Sequence, residues 1–204
     1  MKAIVNKIVS FLPEVKKPEQ KKLAFKEKLK WTLIILVSFF ILSNIPLYGL
    51  GQNALVQFRQ LSIILGASFG SILSLGIGPI VTGSIVLQLL TGSGILKIDT
   101  TTHDGRTFFQ GLQKLTTLFF ILFEGIVYVM LGGLAPDPAL AGTSVYFTFQ
   151  LILIIQLIIG GLLVLFMAEV VDKWGFGSGV SLFIAAGVSA EIFIRAFSPL
   201  NSLG

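Results

Sequence analysis

Long runs of apolar residues alternate with short polar stretches along most of this chain. Five runs reach, or can be extended to, the length of about twenty residues that a membrane-spanning helix needs. The predicted spans cover about residues 31–50, 76–92, 114–134, 145–168 and 179–197. The pattern predicts an all-α polytopic membrane protein. Its transmembrane domain, residues 31–204, follows a polar N-terminal segment, residues 1–30.

The second predicted span opens in an unusual way. Gly76, Gly78 and Pro79 break any helix that arrives from the preceding residues and start a new one. The small residues Gly83 and Ser84 then allow another helix to approach closely. A helix that begins inside the membrane region after an interrupted segment is typical of proteins that move something across.

Composition supports the membrane assignment. The mean hydropathy is +0.91, and 12% of the residues are charged, whereas soluble domains carry about 25%. The chain has no cysteine, which excludes disulfides and thiolate metal sites. No aromatic platform or recognition fold accompanies the net charge of +5, so nucleic acid is not an expected partner.

The distribution of basic residues predicts the orientation. Nine of the 15 Lys and Arg residues precede Trp31, as in a cytoplasmic tail that is too long and basic for a cleaved signal peptide. Residues 1–12 favour a short amphipathic helix or a frayed terminus. With the N-terminus inside, thirteen basic residues lie on the cytoplasmic side and two, Arg59 and Arg195, lie outside. Counting the weakly apolar stretch 61–75 as a full span would reverse this bias, so it is predicted to be half-inserted on the outer side.

Ionisable residues at membrane depth are candidates for function. Glu124, near the middle of the third span, is either part of a proton or ion relay or, as we favour, a buried contact to a Ser, Thr or Gln of a neighbouring helix. His103 is the single histidine and makes neither a metal site nor a catalytic triad by itself. Asp99, Asp104 and Arg106 are expected to form a solvated ion-pair cluster in a polar loop over residues 93–113.

Two further patterns have competing interpretations. Glycines at 175, 177 and 179 resemble a nucleotide loop, but Val180 replaces the third glycine of that fingerprint, which favours a close-packed turn before the fifth span. Ile77 and Val81 are one turn apart at the start of the second span, as Val180 and Ile184 are in the fifth. Spacing alone favours ordinary packing; the alternative is an apolar constriction that excludes water and ions.

Several long stretches resemble the SecY family, the large subunit of the protein-conducting channel. They are LGIGPIVTG at 75–83, QLLTGSG at 88–94, FQGLQK at 109–114 and GFGSGVSLFIAAGV at 175–188, while FKEKLKW at 25–31 is similar to the archaeal and eukaryotic branch. The family has ten spans, so this chain resembles its N-terminal half. The loop-like residues 199–204 favour a truncated chain over a natural end.

The resemblance implies one half of a pseudo-symmetric, clamshell-like channel: five transmembrane helices and a short, half-inserted plug-like helix. Ile77, Val81, Val180 and Ile184 would belong to an apolar pore ring completed by the other half. A plug over about residues 54–71 would include Ala54, Leu61, Ile64, Gly66 and Gly70. The second and third spans would form one side of a lateral gate, with Ile85, Gln88, Leu89, Thr117 and Phe120.

The resemblance also implies the function and the partners. The chain would be the central subunit of a channel that translocates secretory polypeptides across the cell membrane and releases membrane proteins into lipid. Implied partners are small Sec subunits of the SecE/gamma and beta types, a ribosome or other motor on the cytoplasmic side, and a polypeptide with a signal sequence. No cofactor, metal or enzymatic activity is expected, and the lack of a nucleotide motif predicts no ATPase activity.

Three alternatives stay open at this point. A half of a secondary transporter would need a polar site at mid-membrane, for which Glu124 is the one candidate. An intramembrane enzyme would need a Ser-His pair, paired aspartates or a zinc motif in its spans, and the sequence has none of these. A structural membrane scaffold leaves the plug-like segment unexplained.

Overall fold

The computed structural model describes residues 13–18, 23–51 and 70–197, apart from the side chains at positions 191, 194 and 195. The described chain contains five α-helices: α1 (Phe25–Ser43), α2 (Gly78–Gly92), α3 (His103–Met130), α4 (Ser144–Trp174) and α5 (Gly179–Phe197). A short 3₁₀ helix, Pro138–Leu140, lies between α3 and α4. The predicted all-helical fold class is confirmed at this level.

Helix α4 is the centre of the molecule. It packs against α1, α3 and α5, while α2 packs on α3 and α1 also touches α5. One face of α4 is completely buried at Leu153, Leu157, Val164 and Val171. These positions are four or seven residues apart, which places them along one side of a helix. The face meets buried residues of α1, α3 and α5, so the core is built around α4.

Helix lengths separate two classes of element. Among the described residues, α3 and α4 are long and apolar enough to cross a membrane. At 1.5 Å per residue, α4 measures about 46 Å, which exceeds the roughly 30 Å of the hydrocarbon core. Helix α2, with 15 residues, measures about 22 Å and needs the residues before it to reach across.

The polar loop expected over residues 93–113 is shorter than predicted, because α3 begins at His103. The Thr102 hydroxyl caps this helix by accepting a hydrogen bond from Gly105 N–H at 3.1 Å. In place of the expected ion pairs, Asp99 and Arg106 form hydrogen bonds with nearby residues. Arg106 Nε donates to the carbonyl of Thr100 at 2.9 Å, and Asp99 accepts from the Thr101 backbone at 3.0 Å. Hydrogen bonds to nearby turn residues satisfy these groups locally.

The first predicted span also ends differently from its apolar pattern. Helix α1 stops at Ser43, and the following residues 44–51 are not helical. Pro46 lacks a backbone N–H, and Gly49 has a φ of +87°, a conformation that favours glycine. Pro46 instead forms an isolated antiparallel bridge with Ser71. The residues just before and just after 52–69 are therefore held together by this bridge.

Candidate functional site

The first half of the candidate ring, Ile77 and Val81, lies where α2 begins. Ile77 occupies the N-cap position, and its carbonyl accepts hydrogen bonds from Ile80 N–H at 3.1 Å and Val81 N–H at 3.0 Å. Gly76 just before it has a φ of +53°, which turns the chain into the helix. Ile77 is half-buried against the core, and Val81 is also half-buried. The Gly-Pro pattern therefore starts a helix at this position, as the sequence predicted.

The second half, Val180 and Ile184, lies at the start of α5. The turn before it is close-packed, as predicted: a Cβ on Gly179 would lie 2.6 Å from Ala168. Asp172 Oδ1 accepts a hydrogen bond from Gly179 N–H at 2.7 Å, which fixes the start of the helix. Val180 packs against the core, whereas Ile184 is 47% exposed.

The two halves of the candidate ring stand on different helix pairs. Helix α2 packs on α3, and α5 packs on α4 and α1. In both halves the residue nearer the helix start, Ile77 or Val180, packs against the core. One turn later, Val81 is half-buried and Ile184 is exposed.

The candidate gate residues fall into two groups. Ile85, Gln88 and Leu89 are exposed on α2, and the exposure of Leu89 reaches 66%. Phe120 on α3 is half-buried and contacts the edges of neighbouring phenylalanine rings. Thr117 is different, because it is 1% exposed and lies inside the contact between α2 and α3.

A seam of small and polar residues joins α2 to α3. A Cβ on Gly83 would lie 3.0 Å from the backbone nitrogen of Thr117, so the glycine permits the close approach. One end of the seam carries a 2.6 Å hydrogen bond from Gln113 Nε2 to Ser84 Oγ. Farther along, Glu124 hydrogen-bonds the side chain of Thr82. The contact to a Ser, Thr or Gln of a neighbouring helix that the favoured interpretation of Glu124 predicts is present, at Thr82 of α2.

The predicted plug falls largely on undescribed residues. Ala54, Leu61, Ile64 and Gly66 lie outside the described residues, as do residues 1–12, the predicted amphipathic segment. Gly70 is described: it is buried, has a φ of +90° and accepts a 2.8 Å hydrogen bond from Leu47 N–H.

The residues that flank 52–69 are held by one face of α4. Gln156 Oε1 accepts from Tyr48 N–H at 3.0 Å, and Gln156 Nε2 donates to the Tyr48 carbonyl at 3.1 Å. One turn later, Gly160 faces the carbonyl of Ile72 so closely that any Cβ there would overlap it. Sequence reasoning missed this contact. The available signal was Gln156, a polar residue inside an apolar run, placed one helical turn before Gly160.

A charged cluster at the other end of α4 was also missed. Lys114 of α3 and Glu169 and Lys173 of α4 surround residues 13–16. Charge counting predicted that these residues lie on the cytoplasmic side, but it did not indicate their contacts, because the partners are separated by 55 to 159 positions. Spacing along one helix carries no information about contacts between such distant residues.

Comparisons with known proteins identify a family. Residues 71–203 match the SecY family, and residues 37–70 match the plug domain of Sec61p. The chain is 54% identical to a protein translocase subunit SecY of Methanothermobacter thermautotrophicus, over 96% of this chain and 41% of that protein. This chain therefore spans about two-fifths of that relative's length.

Two solved structures have closely similar folds. Sec61 in the canine ribosome-channel complex from the endoplasmic reticulum superposes with a TM-score of 0.81 at 39% identity, covering 94% of this chain and 43% of that chain. A SecY structure, described as one whose plug domain stabilises the closed state of the translocation channel, gives a TM-score of 0.80 at 39% identity. It covers 94% of this chain and 42% of that chain.

Proposed function

The chain belongs to the SecY family, and we propose that it forms one half of the wall of a protein-conducting channel. The observation that carries the proposal is the entry into α2. Residues 70–77 are not helical, yet Leu73, Ser74 and Leu75 are buried. Non-helical backbone at membrane depth is tolerated where protein buries it or where it lines a cavity. A simple membrane anchor has no use for such an interruption.

The local hydrogen bonds support this interpretation of residues 70–77. Ser71 Oγ accepts from Leu73 N–H at 3.2 Å, and Ser74 Oγ accepts from Gly70 N–H at 2.9 Å. Side-chain hydroxyls thus replace some of the hydrogen bonds that a helix would have made internally. The chain can therefore stop and restart a helix beside the core, so that Ile77 and Val81 stand at its first turn.

We propose that Ile77, Val81, Val180 and Ile184 line an apolar constriction. Branched aliphatic side chains can close around a moving polypeptide and still exclude water and ions when the channel rests. The exposed Ile184 fits a ring completed by a further five-span half. The plug over about residues 54–71 would add a second seal, as described for the similar SecY structure.

The α2–α3 pair is proposed as one side of a lateral gate. The exposed Ile85, Gln88 and Leu89 would face the opening, with Phe120 beside them on α3. Thr117, buried against Gly83, would join the two helices so that they move together. Signal sequences and membrane spans would leave for lipid along this face.

Orientation and partners follow the same proposal. Five spans with a cytoplasmic N-terminus place residue 204 outside and the strongly basic start inside. A ribosome on the cytoplasmic side is proposed from the similarity to Sec61 in a ribosome-channel complex. Small Sec subunits of the SecE/gamma and beta types would surround the channel. The driving force would come from the partner, so we expect no nucleotide hydrolysis by this chain.

Site-specific photo-crosslinking tests the proposal. A photoreactive residue at Val81, in membranes that contain the complete channel, is challenged with a stalled secretory chain. We expect a crosslink to the mature part of that chain, and none from the same probe at Ile155, which is exposed on α4. Absence of the Val81 crosslink in an intact, engaged complex would contradict a pore lined by this residue.

A conductance measurement tests the constriction separately. Changing Ile77 and Val81 together to serine in the complete channel is expected to raise resting ion conductance, because shorter polar side chains no longer exclude water. Unchanged conductance would count against the ring. The transporter alternative predicts instead that Glu124→Gln abolishes a proton flux, which the channel proposal does not require.

A further inference from the structure

Residues 13–18, here called the strap, lie against Lys114 of α3 and against the last turns of α4, and are bound through their backbone. Lys114 Nζ donates to the Pro13 carbonyl at 2.7 Å, and Lys173 Nζ donates to the Val15 carbonyl at 2.7 Å. Glu169 Oε2 accepts from Val15 N–H at 3.1 Å. Side chains from two helices therefore form hydrogen bonds with three backbone groups of residues 13–15 in the strap.

Trp174 adds a fourth contact at the end of α4. Its indole Nε1 donates to the Lys16 carbonyl at 2.9 Å, and its ring packs at 5.6 Å from the ring of Trp31 in α1. The indole N–H is a single, directional donor. The strap is thus held by α3 at Pro13 and by the α4 terminus at Lys16.

The charges of the cluster balance. Lys173 Nζ lies 2.6 Å from Glu14 Oε1 and 4.0 Å from Glu169 Oε2, and Lys114 pairs with the other oxygen of Glu169. Two cations therefore face two anions. The side chains of Lys114, Lys173 and Glu169 are 12%, 14% and 17% exposed. Removing one member leaves a poorly hydrated charge without its partner, which is costly.

The cluster connects the gate pair to the core helix. Lys114 belongs to α3 and lies one turn before Thr117, which packs on Gly83 of α2. Glu169 and Lys173 belong to α4, around which the core is built. A strap bound to both helices restrains α3 at Lys114, and α2 follows α3 through the seam between them.

We propose that the strap is a clasp that positions α3 and α2 against α4, with Glu169 as its central positioning residue. Glu169 is central because it contacts Lys114 of α3, Lys173 of its own helix and the strap backbone at once. The clasp itself follows from these contacts. We also infer that the clasp restrains the movement of α2 and α3 as one side of the gate. This consequence rests on the proposed channel function.

Limited trypsin digestion of the chain, purified with its accompanying subunits, tests the clasp. Trypsin needs a free backbone at the Lys16–Lys17 bond, whose carbonyl Trp174 binds. Cleavage there should be slow compared with cleavage after Lys97, which is exposed in the loop before α3. Equal rates at the two sites in the unmodified protein would overturn the clasp without any need for a variant.

Variants then identify the central residue. Glu169→Leu is expected to speed cleavage at Lys16–Lys17 by about tenfold or more, since it removes charge-assisted hydrogen bonds. Glu169→Gln, which keeps an acceptor for Val15 N–H, should give an intermediate rate. Asp172→Asn is the matched control, because it removes a charge three residues away and keeps an acceptor for Gly179 N–H. An unchanged rate in Glu169→Leu would overturn the assignment.

A distance measurement shows whether the strap positions α3 or only lies against it. The chain has no cysteine, so spin labels can be attached to two introduced cysteines without competing sites. The exposed positions Gln110 of α3 and Ser181 of α5 are suitable, and the distance between the two labels is measured by electron spin resonance. Their distance distribution should be narrow in the parent protein and broad in Glu169→Leu. A narrow distribution despite lost protection would overturn the positioning role. Absence of the Val81 crosslink in a protein whose clasp is intact would instead count against the proposed function.

Discussion

Helix α4 contacts the rest of the chain through different chemistry at two levels. Around residues 169–174, lysines and carboxylates hold the strap. About 20 Å away along the helix, at residues 156–160, a neutral amide and a glycine hold the chain on either side of residues 52–69.

The difference follows from the surroundings of each level. Charged groups at the end of a long helix remain near water, so their desolvation is partial and their pairing is tolerated. At membrane depth an ion is expensive, and backbone groups must find neutral partners inside the protein. Gln156 supplies both a donor and an acceptor to Tyr48 without adding charge. The comparison teaches that the same helix uses ion pairs at its charged end and neutral, close backbone contact in its apolar middle.

The largest predicted effect comes from filling the close contact at Gly160. Gly160→Val should destabilise the protein by about 3 kcal/mol, because its side chain would overlap the backbone carbonyl of Ile72. Thermal unfolding of the detergent-solubilised complex measures the change. Gly92→Ala is the control, since a Cβ there meets nothing within 4 Å. Equal melting temperatures for the two variants would show that the contact at Gly160 yields easily.

The next effect concerns Gln156. Gln156→Leu is expected to cost about 2 kcal/mol, because Tyr48 loses partners for both its backbone N–H and its carbonyl. The same unfolding assay applies. Thr148→Val is the matched control, since the Thr148 hydroxyl donates to the Ser144 carbonyl within its own helix. A similar loss in both variants would mean that Gln156 holds nothing beyond its own helix.

A smaller effect is expected where α3 is exposed near its start. Thr102→Ala should cost about 1 kcal/mol through loss of the helix N-cap. Thr102→Ser keeps the hydroxyl and should retain most of the stability. Amide hydrogen exchange of the first turn of α3 measures the loss locally. Exchange that is equally slow in Thr102→Ala and the parent would show that water replaces the cap without cost.

The smallest effect is a pH dependence of the strap. The hydrogen bond from Lys173 lowers the pKa of Glu14 below its ordinary value of 4.5. A lowered carboxyl pKa adds stability that is present above the ordinary pKa and is lost as pH falls through the lowered value. The strap should therefore loosen below about pH 4.5 and not between pH 5 and 8.

Tryptophan fluorescence in a Trp31→Phe background follows this change through Trp174, which donates to the strap. The readout is the difference between the titration curves of the parent and of Glu14→Gln, because glutamine does not ionise. Superimposable curves would exclude Glu14 as the titrating group and would confine the pH response to other residues of the cluster.

Apolar run length and the position of glycine and proline determined much of the fold from the sequence. The restart of a helix at Gly78, the turn before α5 and the helical nature of the described residues are local features, which depend on residues close in sequence. Basic residues predicted the orientation by the same local counting. The resemblance to the SecY family then assigned the ring and gate residues, whose roles remain proposals.

Tertiary structure decided the contacts between distant residues. Thr117 could be read as a gate residue from its helix, but its burial depends on Gly83 of another helix. Likewise, no spacing rule connects Gln156 with Tyr48 or Lys114 with Pro13. Helical periodicity says which residues share a face, whereas the partner of that face depends on how the helices pack. The sequence by itself thus determined the elements of this protein, and packing around α4 decided which of their polar groups meet.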